Sequence, residues 1–519
     1  MSRLRSHRAL AITATLAAVG IVAAGCASSN HPDASGDGSG GGTLRIALAA
    51  PPTSLDPANM EQSTSPFAQP AYDALIRVDE DGTLSPGLAT EWGFTDDENR
   101  VFELTVRDGV TFSDGAELDA DAVVANLEHL DEGNSNVAGL VNGGTYTAVD
   151  DMTVRIEWDA PHPLAAQALT QTWVSGMMAS PDVLADDPDS LATQTAGAGP
   201  YELDAANTTA GSTYTYTARD DYGDPDRQSW DEIVITVMDN PDQRLNALRT
   251  GEIDYMVGDL STADSAEADG VQVLYAPTIV YGLSLLDRDG ALDSPLQDLR
   301  VRQAINHALD REGIAEALLG DYGFATEQTI VPSEPGYLED HEGYWSYDPD
   351  LARELLTEAG YPDGFTLPVI ASTTATAAQF AQIYAGQLEE VGITLELDTR
   401  PGPDYFEAMT SGTFPAAGIG YGSQPMPMEY DGLFGPDASF NPLGVTSQTV
   451  QDTLAEATSM PQDEAVSLYE DINREIIEDA WYAPVAFAPV FYYAADTIAP
   501  TAVTDARPQV PLTELQPAA

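Results

Sequence analysis

Residues 298–320, DLRVRQAINHALDREGIAEALLG, constrain this chain more than any other stretch. Val301, Ala304, Ile305, Ala308 and Leu309 recur at i, i+3, i+4, i+7 and i+8, which makes one apolar face of a helix. Arg302, Gln303, Asn306 and Asp310 fall on the other face. Asp298 is placed to cap the helix start, where its charge suits the positive end of the helix dipole. Asp310 can cap a second helix over 311–319, and Gly320 ends it. The periodicity predicts a helix pair pressed on a core by one face.

A chain of 519 residues is too long for one core, so two or three domains are expected. Every one of its 20 basic residues is Arg, against 84 acidic residues, for a net charge of −64. Such a surface repels nucleic acid and anionic lipid, so neither is an expected partner. The acidity is diffuse. It reads as a solubility device rather than a tuned preference for cationic ligands, and it marks no local site.

Arg3, Arg5 and Arg8 precede an apolar run over 9–22 that is too short for a comfortable membrane span. The run ends in Ala23-Ala24-Gly25-Cys26, which resembles the bacterial lipobox, although Ala23 stands where Leu is usual. Cys26 is the only Cys, and lipidation gives that lone thiol a purpose. Residues 1–25 are thus expected to be a lipoprotein signal peptide. Acyl chains on Cys26 would hold the protein at the outer face of the cell membrane. Residues 26–42, rich in Ser, Gly and Asp, read as a flexible tether. With no second Cys there is no disulfide and no Cys-based zinc site.

The 298–320 string resembles the D-x-R-V-R-Q-A-I-x-x-A-L-D-R signature of the family 5 extracellular solute-binding proteins, receptors for oligopeptides, dipeptides and nickel in ABC importers. Further blocks follow in the family's order: FELTVRDGVTFSDGAELDADAV from 102, Gly197-Ala198-Gly199-Pro200-Tyr201, Gly251-Glu252-Ile253-Asp254, and YDPDLARELLTEAGYPDGF from 347. The resemblance implies an α/β, two-lobe periplasmic-binding-protein fold of class II type, with an extra subdomain inserted in lobe one. Residues 43–70, 198–285 and 484–519 would form lobe I, 71–197 the inserted subdomain, and 286–483 lobe II. Among the local elements expected are a short helix over 69–76 and strands over 271–274 and 281–286, the second leading across the hinge.

No enzyme signature stands out. The chain has no G-x-S-x-G, no H-E-x-x-H and no phosphate loop. Its six His are scattered, so no imidazole-built nickel site and no other metal or cofactor site is expected. The ligand should lie between the lobes, where extended ligands of the family are held through backbone hydrogen bonds. Glu61, Gln62 and Ser63 match the family's ligand-contacting loop, and Ser372 and Thr373 follow a strand of lobe two. Tyr281 sits on a strand that should cross the hinge. Tyr421 and Gln424 occupy the places of Trp and Asp in the family's G-W-x-x-D, whose Asp pairs with a peptide's α-ammonium. Gln424 carries no charge, so that charge-assisted contact is lost unless Glu429 or Asp431 supplies it. Met426 and Met428 are either adaptable lining or core.

The function this implies is a monomeric, extracytoplasmic binding lipoprotein rather than an enzyme. It would capture small peptides by hinge closure and pass them to ABC permease subunits, touching the membrane only through its lipid. The alternatives are a non-peptide solute (an opine, a sugar or a metal chelate) and a secreted hydrolase.

Overall fold

The computed structural model describes residues 41–135 and 141–519. The expected signal peptide, Cys26 and nearly all of the expected tether lie outside these residues. In chain order the strands are β1 (Thr43–Leu48), β2 (Ile76–Val78), β3 (Leu84–Pro86), β4 (Ala89–Phe94), β5 (Val101–Val106), β6 (Thr145–Ala148) and β7 (Thr153–Glu157). Then come β8 (Tyr201–Leu203), β9 (Thr213–Ala218), β10 (Glu232–Val237), β11 (Tyr255–Val257), β12 (Gln272–Leu285) and β13 (Phe324–Ala325). The last four are β14 (Phe365–Ser372), β15 (Ile393–Arg400), β16 (Ala416–Gly422) and β17 (Tyr482–Ala494).

One sheet of 11 strands runs β15-β14-β16-β12-β17-β11-β1-β10-β9-β8, with β13 laid against β17. It is built on two cores. Leu44, Tyr216, Ile233 and Leu512 belong to the first, and Val301, Ile305, Val369 and Leu388 to the second. A separate sheet, β4-β5-β7-β6, has its own core of Phe102, Val123, Leu127 and Ile156.

β12 and β17 join the two main cores. Leu274 packs in the first core while Leu283 and Leu285 pack in the second, although all three lie on β12. The sequence suggests two strands here, and the structure makes them one of 14 residues. Pro277 stands opposite Pro489, so neither residue needs an N–H for the ladder, and a register shift between Pro277 and Ile279 lets pairing resume. The expected helix over 69–76 is likewise replaced, by a 3-10 turn at Gln62–Phe67 and the strand β2. The N–H groups of Leu75 and Ile76 donate instead to the carbonyls of Gly176 and Leu169, each at 3.0 Å, which takes them out of helical pairing.

The helix pair forms as expected over Leu299–His307 and Arg311–Leu319. Asp298 accepts from the Arg300 N–H at 3.0 Å, and Asp310 from that of Gly313 at 3.0 Å. The polar side of the first helix is only partly solvated, however: Gln303 and Asp310 are half-buried, and Arg302 and Asn306 are buried. The Arg302 guanidinium donates to the Asp479 carbonyl at 2.8 and 3.1 Å, and the Asn306 amide donates to the Tyr482 carbonyl at 3.2 Å. Arg311, also buried, donates to Asn306 Oδ1 at 2.6 Å and to the Pro484 carbonyl at 2.7 Å. These side chains satisfy backbone at the start of β17, which apolar residues would leave unpaired.

Gly197 and Gly199 have an equally local cause. A Cβ on either would lie 2.0 to 2.5 Å from the Ala71 backbone, so the G-A-G-P-Y block is a close chain crossing.

Candidate functional site

Between the two main cores lies a cleft of about 1080 Å³. Its floor is the crossing strands, with Ile279, Val490 and Tyr492 exposed to it. One wall is β16. β14 pairs with β16 only through Val369–Ala416 and Ile370–Ala417, so from Gly418 to Gly422 no strand flanks β16 on that side. Gly418, Gly420 and Gly422 alternate along it and turn bare backbone to the cleft. Larger residues would not fit: a Cβ on Gly420 would lie 2.7 Å from Tyr281 Cε1, and one on Gly418 2.5 Å from the Tyr384 hydroxyl.

Gln62, Ser63, Tyr281, Ser372 and Gln424 all line this cleft. The Gln62 amide is shared with the opposing segment: it donates to the Thr172 carbonyl and accepts from the Val174 N–H at 3.2 Å. Tyr281 stacks on Phe380 with ring centroids 4.8 Å apart and planes 2° from parallel. Ser372 Oγ accepts from the Thr374 N–H at 3.2 Å.

Four candidates lie elsewhere. Glu61 is exposed at the start of the 3-10 turn, and Thr373 is exposed with its N–H donated to the Arg400 carbonyl at 3.0 Å. Tyr421 falls between the glycines in the strand alternation and so faces away from the cleft. It meets Phe440 edge-on at 5.2 Å, with its hydroxyl against Gly432. Asp431 is exposed in the turn Tyr430–Phe434 and is not part of the lining. Met426 both lines the cleft and is buried in a core with Leu433 and Tyr469.

Glu429 supports the cleft loop from behind. It is fully buried, its Oε1 accepts from the Gln424 N–H at 3.0 Å, and burial drives its carboxyl well above the usual range. Sequence reasoning missed Trp173, Tyr405, Phe406 and Tyr469, which give the cleft much of its apolar lining, and also Glu334, Asp505 and Arg507. Aromatic residues scattered over separate segments leave no periodic signal. The Glu334 carboxyl is pushed up to about 7, first by burial and then by Asp505.

Residues 83–437 match the model of the bacterial extracellular solute-binding proteins, family 5, middle region. The chain belongs to this family. Family 5 proteins are the solute-binding components of ABC importers. A glutathione-binding protein GsiB from Salmonella paratyphi A is 28% identical over 356 residues, covering 67% of each chain. The ABC transporter substrate-binding protein CtaP of Listeria monocytogenes superposes with TM-score 0.79 at 20% identity, covering 93% of this chain and 100% of its own. DppA of Helicobacter pylori, solved with the peptide STSA, gives TM-score 0.74 at 22% identity, with 92% and 98% covered. The two-lobe α/β architecture is that of these family 5 binding proteins. Among the described residues, no helix is long and apolar enough to cross a membrane.

One prediction tests the glycine wall. Gly420→Ala pushes the Tyr281 ring into the cleft, and we expect a loss of about 1 kcal/mol in stability with about fivefold weaker solute binding. Thermal melts and titration calorimetry measure both. Unchanged binding means the wall is not used.

Proposed function

We propose that this family 5 protein captures a peptide in the cleft between its lobes and presents the closed form to an ABC permease. The observation that carries this is the cleft itself, which draws its walls from both cores and has, at 419–422, strand backbone paired with β12 on one side and with no strand on the other; at Gly418 the carbonyl takes the Tyr405 hydroxyl at 2.8 Å. Its volume of about 1080 Å³ exceeds the usual small-molecule range of about 300–1,000 Å³, which suits an extended oligomer. An added peptide strand can use that backbone edge for hydrogen bonds that do not depend on sequence. The names of GsiB, which binds glutathione, and of DppA with its bound peptide support the same ligand class.

In this reading 43–70, 198–285 and 484–519 move as lobe I and carry the inserted subdomain 71–197, while 286–483 move as lobe II. The bulge at Pro277 and Pro489 is the hinge. Gln62, Ser63, Tyr281, Ser372 and Gln424 contact the ligand, and Tyr421 shapes the wall from behind. Lipidated Cys26 anchors a monomer outside the cell membrane, and the protein binds its guest without transforming it.

Native mass spectrometry of the purified protein is expected to show a co-purified peptide. Di- to hexapeptides should then raise the melting temperature, since a ligand at about 100 times its Kd stabilises by about 2.7 kcal/mol. A co-purified opine, sugar or chelate, with no shift from any peptide, replaces the peptide reading. Turnover of a bound peptide replaces the binding-protein reading.

A further inference from the structure

Although the chain carries 84 acidic residues, the charged side chains lining the cleft among the described residues are Glu334, Asp505 and Arg507 alone. Arg507 is already neutralised. Its Nη1 donates to Glu514 Oε2 at 2.7 Å, and its Nη2 lies 3.4 Å from Glu80 Oε1. Glu334 and Asp505 have no cationic partner among the described residues; Asp505 Oδ1 accepts only the neighbouring Ala506 N–H, at 3.1 Å. The two acids sit on opposite sides of the cleft. Glu334 lies in a loop between Ile330 and Tyr337, which pack in the core of Met426 and Tyr469, while Asp505 lies on the C-terminal segment between Val503 and Val510, which pack in the first core. They are close enough for Asp505 to raise the proton affinity of Glu334. Behind Glu334 stands Glu429, fully buried, with Oε2 making no hydrogen bond of normal geometry and Thr329 beside it.

We propose that Glu334 and Asp505 form a two-sided clamp for a cationic group of the solute, an ammonium or a guanidinium, and that filling the clamp favours closure. The proposal rests on the solute-capture reading above and adds the charge class of the ligand. With the cleft empty, like charges on the two lobes repel. A cation between them turns that repulsion into two attractions that exist together only when the lobes meet, which is the differential interaction a closing ligand must supply. Among the described residues no group of three or more His, Cys, Asp or Glu could hold a metal ion, so an organic cation suits the acids better. The clamp also answers the loss of charge at Gln424. The negative charge comes from a different loop, while Glu429 is spent on the Gln424 N–H.

The test compares the intact protein with Glu334→Gln and Asp505→Asn, using trialanine, N-acetyl-trialanine, agmatine and spermidine in titration calorimetry. Thermal melts check that each variant is folded. Trialanine is expected to bind the wild type, to lose about 10- to 100-fold in affinity in each variant, and to lose similarly when acetylated. If peptides do not bind but agmatine or spermidine binds in a Glu334-dependent way, the peptide reading falls and the clamp stands. The clamp is overturned if both folded variants bind as the wild type does, if N-acetyl-trialanine binds as tightly as trialanine, or if none of the cationic probes binds.

Discussion

Replacing Asn99 with alanine is expected to speed release of a bound solute by about 30-fold, a loss of about 2 kcal/mol from the closed form. Asn99 lies in the loop between β4 and β5, on the separate small sheet. Its side-chain amide donates to the carbonyls of Thr458 and Met460, at 2.9 and 2.7 Å, between two helices on the other side of the cleft. Gln462 repeats the contact nearby: its Oε1 accepts from Gln167 at 3.1 Å and its amide donates to the Pro163 carbonyl at 3.2 Å. Under the proposed lobe division these bonds join parts that separate on opening, so they are expected to weigh on release more than on capture. Asn99 also has φ of 54°, which Asn tolerates better than most residues. Asn99→Gly therefore keeps the backbone while deleting the amide and should release solute as fast as the alanine variant. Stopped-flow release of a bound tripeptide decides this. If glycine restores the wild-type rate, the backbone turn and not the amide matters.

The second large effect concerns Glu429, and it should reverse with the substitution chosen. Glu429→Gln keeps an acceptor for the Gln424 N–H and offers a donor toward Thr329. The Thr329 hydroxyl and Glu429 Oε2 are now both buried without a hydrogen bond of normal geometry. We expect this variant to gain about 2 kcal/mol at pH 8 and little at pH 5. The sign follows from linkage. A carboxyl held above its unfolded value contributes its full stability below that value, and the contribution is lost as pH rises through the folded one. For Glu334 that window runs from 4.5 to about 7, worth about 3 kcal/mol, and Glu429 acts in the same direction. His162, which burial lowers from 6.5, opposes the trend, so wild type and variant must be compared at each pH. Glu429→Leu instead orphans the Gln424 N–H and should cost about 1 to 3 kcal/mol at pH 5 and weaken binding. Urea denaturation at the two pH values separates these outcomes. A glutamine variant no more stable at pH 8 than at pH 5, relative to wild type, refutes the account.

The family blocks became readable as structure once their contacts were known. The caps at Asp298 and Asp310 follow directly from sequence, because a cap is satisfied within three residues. The burial of Arg302, Asn306 and Arg311 does not, since their partners lie on residues 479–484, far along the chain. Helical periodicity assigns polar residues to solvent and has no means of seeing a distant backbone carbonyl. Tyr421 shows the same limit. Its motif position suggested ligand contact, but the strand register gives the cleft to Gly420 and Gly422, and strand parity allows only one of the two sets to face it.

What the sequence determined by itself is the set of local units: the helix pair with its caps, the glycine-rich crossing at 197–199, the family blocks and their order. These depend on neighbours a few residues apart or on strings long enough to recognise. Tertiary structure alone decided that β12 and β17 run unbroken between two cores and that Gly418, Gly420 and Gly422 rather than Tyr421 face the cleft. It also brought Glu334 and Asp505, 171 positions apart, to the same opening. Charge interacts through space and carries no periodicity along the chain, so among 84 acids the two that matter to the cleft could be found only by folding.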